Sequence, residues 1–219
     1  MHWIGLVTVS AVATMLAGCA STGGAGAAGG EEKQVLALQA FSDPESHGQM
    51  MEAWKVAIAA DGVECAGAHG ARPHMTFGSW KVSPAELERA LRRGAELDGR
   101  IPGRRLALTP VTRDASGGSR VSLHYVPEDD PALHDYHRAV HEQLGFGFEP
   151  FRPIDLPGQW KPHVTMFHAG PEGRGAFDEA VARLSGLREV EITSFGLVLF
   201  GPIRTAQEIR CTPPGDSLD

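Results

Sequence analysis

Cysteine is scarce in this chain: three in 219 residues, at Cys19, Cys65 and Cys211, with no C-x-x-C pair among them. That argues against a zinc site built on thiolates, and nothing beside these cysteines marks a nucleophile. Positive charge is in deficit as well. Twenty Lys and Arg against 27 Asp and Glu leave a formal net charge of −7, which excludes a surface basic all over of the nucleic-acid-binding kind. One local group stands out, Arg89, Arg92, Arg93, Arg100, Arg104 and Arg105. It reads either as a solvated helix face with the loop after it or as a rim that attracts a phosphate-bearing ligand. Long apolar runs are missing too. The charge-free stretch from Trp3 to Met15 is too short to span a bilayer as a stable helix. What remains, 42% hydrophobic and 21% charged residues, is the make-up of a globular chain with length for one sizeable domain or two small lobes.

The run from Trp3 to Met15 suits the apolar region of a secretory signal, and the small residues before Cys19 suit its cleavage site. Leu16-Ala17-Gly18-Cys19 resembles the lipobox of bacterial lipoproteins. The resemblance implies removal of residues 1–18 and a lipid on Cys19. It also implies a place in the cell envelope, anchored on the periplasmic side of the outer membrane if the cell is Gram-negative. Residues 20–30 hold only Ala, Ser, Thr and Gly, so 19–33 reads as a lipidated cysteine and a flexible tether. The folded domain is then expected over 34–213, with a short tail at 214–219. In an oxidising compartment, Cys65 and Cys211 either pair as a disulfide or stay as buried free thiols.

Along the domain, Val35-Leu36-Ala37-Leu38 reads as a buried strand. A helix is expected over about 49–60 and a strand over 63–68. Ser83-Pro84-Ala85-Glu86 carries a helix start: an N-cap serine, a proline at the first helical position and a glutamate able to close the capping box. Its helix should run to Leu97. Two strands near 105–112 and 120–126 follow, joined by a turn at Asp114-Ala115-Ser116-Gly117-Gly118. A helix then runs from Asp130-Pro131 to about Leu144, a loop spans 145–158, and a helix lies within 173–186. Two last strands are expected at 189–199 and 206–212.

Two strings interrupt this plan and nearly repeat each other. Arg72-Pro73-His74-Met75-Thr76-Phe77 lies in the first half, and Lys161-Pro162-His163-Val164-Thr165-Met166-Phe167 in the second. Each is followed by a helix and a strand pair, so the order of elements is duplicated. In a strand, residues two apart share a face, so each string offers an imidazole beside a hydroxyl, with apolar residues behind. Two such strands across a cleft supply two groups that titrate near neutrality and two hydroxyls able to bind phosphate oxygens. In-line displacement at phosphorus needs an acid and a base on opposite sides, and this arrangement provides both without a cofactor.

His74-Met75-Thr76-Phe77 and His163-Val164-Thr165-Met166 resemble the paired H-x-[T/S]-x motifs of the 2H phosphoesterase superfamily, over nearly the whole of 35–212. The resemblance implies an α+β, bilobal fold with two antiparallel sheets related by a pseudo-twofold about a central cleft. It implies hydrolysis of 2′,3′-cyclic phosphates or related RNA and nucleotide phosphodiesters, in the manner of the 2′-5′ RNA ligase and cyclic phosphodiesterase group. His74 then looks like the acid and His163 like the base, with the reverse left open by the pseudo-twofold. Thr76 and Thr165 would hold the phosphate. No cofactor and no metal is implied. The substrate partner is a nucleotide or short RNA cyclic phosphate, the lipid on Cys19 makes the membrane a second partner, and a monomer is expected.

Other residues carry two readings each. Arg72 and Lys161 are either phosphate contacts or loop cations. Trp80, Trp160 and Phe151 either stack on a base or pack the lobe edges. His134, His137 and His141 share one helix flank, read as a solvent-facing stripe in preference to a metal site. His124 faces either the cleft or solvent. The competing functions are a non-catalytic periplasmic nucleotide- or phosphate-binding lipoprotein and a metal-dependent hydrolase using the His134, His137 and His141 stripe.

Overall fold

The computed structural model describes residues 32–114, 120–128 and 130–214. The signal segment, Cys19, most of the tether, the turn at 115–119 and the tail beyond 214 lie outside the described residues. In chain order the elements are β1 (Gln34–Ser42), α1 (Pro44–Ile58), β2 (Val63–Glu64), β3 (Met75–Val82), α2 (Pro84–Leu97), β4 (Ile101–Pro102), β5 (Arg104–Asp114), β6 (Val121–Pro127), α3 (Pro131–Leu144), β7 (Glu149–Pro150), β8 (Val164–Ala169), α4 (Arg174–Arg183), β9 (Glu189–Phe200) and β10 (Arg204–Thr212). The class is α+β.

Local chemistry sets most boundaries. The capping box at α2 forms: the Glu86 amide donates to Ser83 Oγ at 3.3 Å and the Ser83 amide donates to Glu86 Oε2 at 2.8 Å. Helix α1 begins five residues earlier than the apolar pattern indicates. Asp43 caps it, accepting from the Ser46 amide at 2.9 Å, and Pro44 occupies the first turn. Gly145, at φ 63°, ends α3. The strand expected over 63–68 is only two residues long. A 3-10 turn at Ala66–His69 replaces the rest, closed by Gly70 at φ 84°.

The two antiparallel sheets expected from the family resemblance run into one another as a single large sheet, in the order β1, β3, β8, β6, β5, β9, β10, β4. A further pairing of β1 with β9 closes six of these strands into a ring. The reason is strand length. Arg104–Ala107 of β5 pairs with β9 while the remainder pairs with β6, so one strand serves both halves. The second join is the single pair Met75 with Val164 between the two motif strands.

Exchanging β1, β2, β3 and β5 with β6, β7, β8 and β9 leaves the set of pairings among them unchanged. The pair β1 and β3 maps onto β6 and β8, β1 and β9 onto β6 and β5, and β2 and β8 onto β7 and β3. The helices follow, with α1 against α4 and α2 against α3. Both motif strands also carry an irregularity at the same place. The register shifts between Leu38 and Gln39 opposite β3, and between Leu123 and His124 opposite β8. The core between sheet and helices buries Leu36, Leu38, Trp54, Phe77, Phe167 and Phe195 almost completely. Each such side chain contributes about 1.5–3 kcal/mol.

Candidate active site

Each motif histidine sits one residue ahead of its strand and makes the same bond two residues back. His74 Nδ1–H donates to the Arg72 carbonyl at 2.6 Å, and His163 Nδ1–H donates to the Lys161 carbonyl at 2.8 Å. A carbonyl only accepts, so in both rings Nδ1 holds the proton and Nε2 is left for other partners. The intervening Pro73 and Pro162 restrict the backbone so that the ring can fold over it. The pair Met75 with Val164 is antiparallel, so one step along each strand sets His74 across from Thr165 and Thr76 across from His163. The four side chains therefore share one face, opposite the buried Met75 and Val164. This is the juxtaposition that strand alternation predicts, reached through an inter-strand register that the sequence does not display.

Two neighbours complete the site, at positions related by the strand exchange. Gln39 on β1 pairs with Thr76, and its amide donates to His74 Nε2 at 3.1 Å. It is 2% exposed, a lone amide in the apolar run of β1, and that isolation is the signal that marks it. His124 on β6 pairs with Thr165, and its ring lies 5.5 Å from that of His163. Bond directions here follow from one end. Ser122 Oγ–H donates to the Arg113 carbonyl at 3.3 Å, so Ser122 accepts from His124 Nε2–H at 3.0 Å. His124 Nδ1 is then the acceptor for Thr165 Oγ–H at 3.4 Å. His124 thus faces the motif residues; sequence left its side undecided.

Burial, with the charge of His163 adding to it, holds the His74 imidazole below the ordinary histidine range against the opposing pull of the Arg72 carbonyl. Burial and the charges of His163, Arg113 and His168 push His124 down to about 4. His168, 6.0 Å from His124 between ring centres, is lowered by burial and by Arg120.

Several sequence candidates stand elsewhere. Trp80 is 1% exposed and packs on His141 and Phe146, the packing one of its two readings, and it has no surface to offer a substrate. Trp160 is buried as well, stacked on His137 at 3.9 Å. Phe151 remains exposed. The Arg72 guanidinium lies 4.0 Å from the Phe41 ring centre and pairs with Glu208 at 3.2 Å. Lys161 is exposed. Cys65 and Cys211 are free thiols rather than a disulfide, and burial pushes them up to about 11 and about 12. The arginine cluster is divided among ion pairs: Arg92 with Glu88, Arg93 with Glu96, Arg104 with Asp130 and Arg105 with Glu191. That matches a solvated surface.

The histidine stripe of α3 is not the solvent-facing flank its spacing indicates. His137 is 1% exposed and His141 is half-buried. Their Nε2–H groups donate to one atom, the Phe77 carbonyl oxygen, at 2.7 and 2.6 Å. Burial and the neighbouring His141 push His137 down to about 3. Nitrogens committed to a carbonyl do not converge on an ion, so the metal-site reading of this stripe fails. The apolar positions beside it fixed the helix face, while the need of a distant carbonyl for donors left no trace in the sequence.

The sequence matches no protein-family profile and no curated protein. Among solved structures the chain is similar to E. coli LigT complexed with ATP, at 15% identity over 83% of this chain and 99% of that one, with a TM-score of 0.47. It is similar to a protein described as a phosphoesterase, at 17% identity over 83% and 99%, TM-score 0.44. It is also similar to Kluyveromyces marxianus Usb1, at 15% identity over 82% and 98%, TM-score 0.44.

Proposed function

We propose that this chain is a phosphodiesterase of the 2H type that hydrolyses nucleoside 2′,3′-cyclic phosphates or related RNA and nucleotide diesters by paired-histidine acid–base catalysis. One observation carries the reading: His74, Thr76, His163 and Thr165 share one face of two antiparallel strands, with each imidazole pinned through Nδ1 so that Nε2 is the reactive nitrogen. The scissile phosphate sits between the two imidazoles. Thr76 and Thr165 hold its non-bridging oxygens, Thr165 turning from His124 to do so. A bond to an anion is stronger than the 3.4 Å contact it replaces.

The depressed pKa of His74 supports an assignment opposite to the one the family resemblance first implied. His74, neutral at pH 7, takes a proton at Nε2 from water as the water oxygen bonds to phosphorus. The water displaces the Gln39 amide from that nitrogen. His163, protonated, gives its Nε2 proton to the departing ribose oxygen as the P–O bond breaks, leaving a phosphomonoester and a free hydroxyl. The next turnover resets both protons through solvent. Lipid attachment at Cys19 is part of the same proposal, and Cys19→Ser should move the protein from the membrane fraction to the soluble one.

The test is hydrolysis of adenosine 2′,3′-cyclic phosphate. His74→Ala or His163→Ala should lower kcat by about a hundred- to ten-thousandfold while the circular dichroism spectrum stays that of the parent. Full activity in both variants refutes the proposal.

A further inference from the structure

The edge of β3 that faces β8 and β7 has a gap. It pairs with β8 at Met75 and with β7 from Trp80, leaving Thr76 to Ser79 without a strand on that side among the described residues. The register opposite β1 skips Phe77 as well. Buried backbone carbonyls must find donors somewhere. Here they come from side chains and one loop amide. Trp160 Nε1–H donates to the Thr76 carbonyl at 2.8 Å, His137 and His141 share the Phe77 carbonyl, and the Phe151 amide donates to the Ser79 carbonyl at 2.9 Å. Trp160 and His137 are stacked at 3.9 Å and 10° between planes, so these donors form one packed unit. Gly78 permits the close approach, since a Cβ there would lie 3.1 Å from His141 Cε1 and 2.4 Å from the Trp80 ring.

We propose that His137, His141 and Trp160 are positioning residues that brace the irregular segment of β3 from behind and so fix how Thr76 and His74 enter the cleft. The two braced carbonyls belong to Thr76 itself and to the unpaired residue after it. The donors stand on α3 and on the chain just before His163, so the brace also ties the first motif to the approach of the second. All three side chains donate to backbone carbonyls of β3 rather than to the imidazoles and hydroxyls of the site. The inference rests on the phosphodiesterase reading for its kinetic consequence and on geometry alone for its structural one.

Trp160→Phe keeps the stack on His137 and removes the donor; His141→Ala removes one of the two donors to Phe77. Both are assayed in the full chain, with His141→Gln as the variant that restores a donor. Tyr125→Phe, which deletes a buried 2.7 Å bond to the Leu184 carbonyl outside the brace, serves as a control for stability alone.

Two quantities are read: the His74 titration midpoint by 1H–15N NMR, and kcat and KM on adenosine 2′,3′-cyclic phosphate. The brace predicts that Trp160→Phe and His141→Ala raise the His74 midpoint by about half a pH unit or more as β3 loosens and water reaches the ring. It predicts a fall in kcat of about ten- to a hundredfold, with both effects reversed in His141→Gln and absent in Tyr125→Phe. A His74 midpoint unmoved in both brace variants overturns the proposal whatever the kinetics show. A parent protein inactive on the substrate, with the midpoint still moving, overturns the phosphodiesterase reading and upholds the brace.

Discussion

His137 is 1% exposed, and its imidazole, pushed down to about 3, must be neutral for the fold to hold it. In the unfolded chain the same ring titrates near its ordinary value of about 6.5. A folded pKa below the unfolded one means that the unfolded chain binds more protons in between. The stabilisation is complete above about pH 6.5 and is lost as pH falls toward about 3. The whole interval is worth about 4–5 kcal/mol at 1.36 kcal/mol per unit, a large part of the 5–15 kcal/mol typical of a domain. His124, at about 4, acts in the same direction. Between about pH 6 and pH 5 each of these two residues should remove about 1 kcal/mol. His47, His74, His141 and His168, all lowered chiefly by burial, can only add to that loss. The window lies above the carboxylate range, so two carboxylates do not enter it: Asp43, which burial raises but its several hydrogen bonds hold low on balance, and Asp98, held low by its hydrogen bonds with Arg210. Urea unfolding at about pH 7, 6 and 5 should show stability falling by about 2 kcal/mol or more across the last unit. His137→Gln, which keeps a donor for Phe77 and removes the titration, should shrink that loss by about 1 kcal/mol. A stability flat from pH 7 to pH 5, or a variant as acid-sensitive as the parent, refutes the argument.

Further predictions concern the site and the brace. Thr76→Val and Thr165→Val should each lower kcat/KM on adenosine 2′,3′-cyclic phosphate by about ten- to a hundredfold, the worth of one hydrogen bond to a charged group. A loss confined to one of them would restrict phosphate binding to that half. Because His74 is held low, the acid limb of the kcat/KM profile should fall below about pH 6.5; a midpoint above that value contradicts the base assigned to His74. Gly78→Ala would set a Cβ 2.4 Å from the buried Trp80 ring and should destabilise by about 1–3 kcal/mol in thermal or urea unfolding. An unchanged midpoint would mean that the ring there moves freely.

What was legible in the sequence was local or periodic. Ser83 to Glu86 announced α2 because a capping box needs only four consecutive residues. Strand alternation placed His74 with Thr76, and His163 with Thr165, because side-chain direction in a strand depends on parity alone. What failed depended on partners distant in the chain. The resemblance implies two antiparallel sheets, and nothing local shows that β5 is long enough to pair with β6 and β9 at once and so join them. Gln39 and His124 enter the site through the register of β1 on β3 and of β6 on β8, which no single segment records. The stripe of α3 was misread for a related reason. A histidine beside an apolar face looks solvent-exposed until the orphan carbonyl of Phe77, some sixty residues earlier, is seen to claim it. The 3-10 turn at Ala66–His69 replaced an expected strand where Gly67 and Gly70 favour a tight turn over a ladder.

The central claim is that the two half-sites act on one phosphorus, so their histidines work as a unit. The measurement is kcat for His74→Ala, His163→Ala and the double variant on adenosine 2′,3′-cyclic phosphate. Groups that share one transition state lose their effect together, so the double variant should be no slower than the slower single one, within about threefold. Losses that multiply, so that the double variant falls by the product of the two single effects, would show that the histidines act independently and would contradict the account.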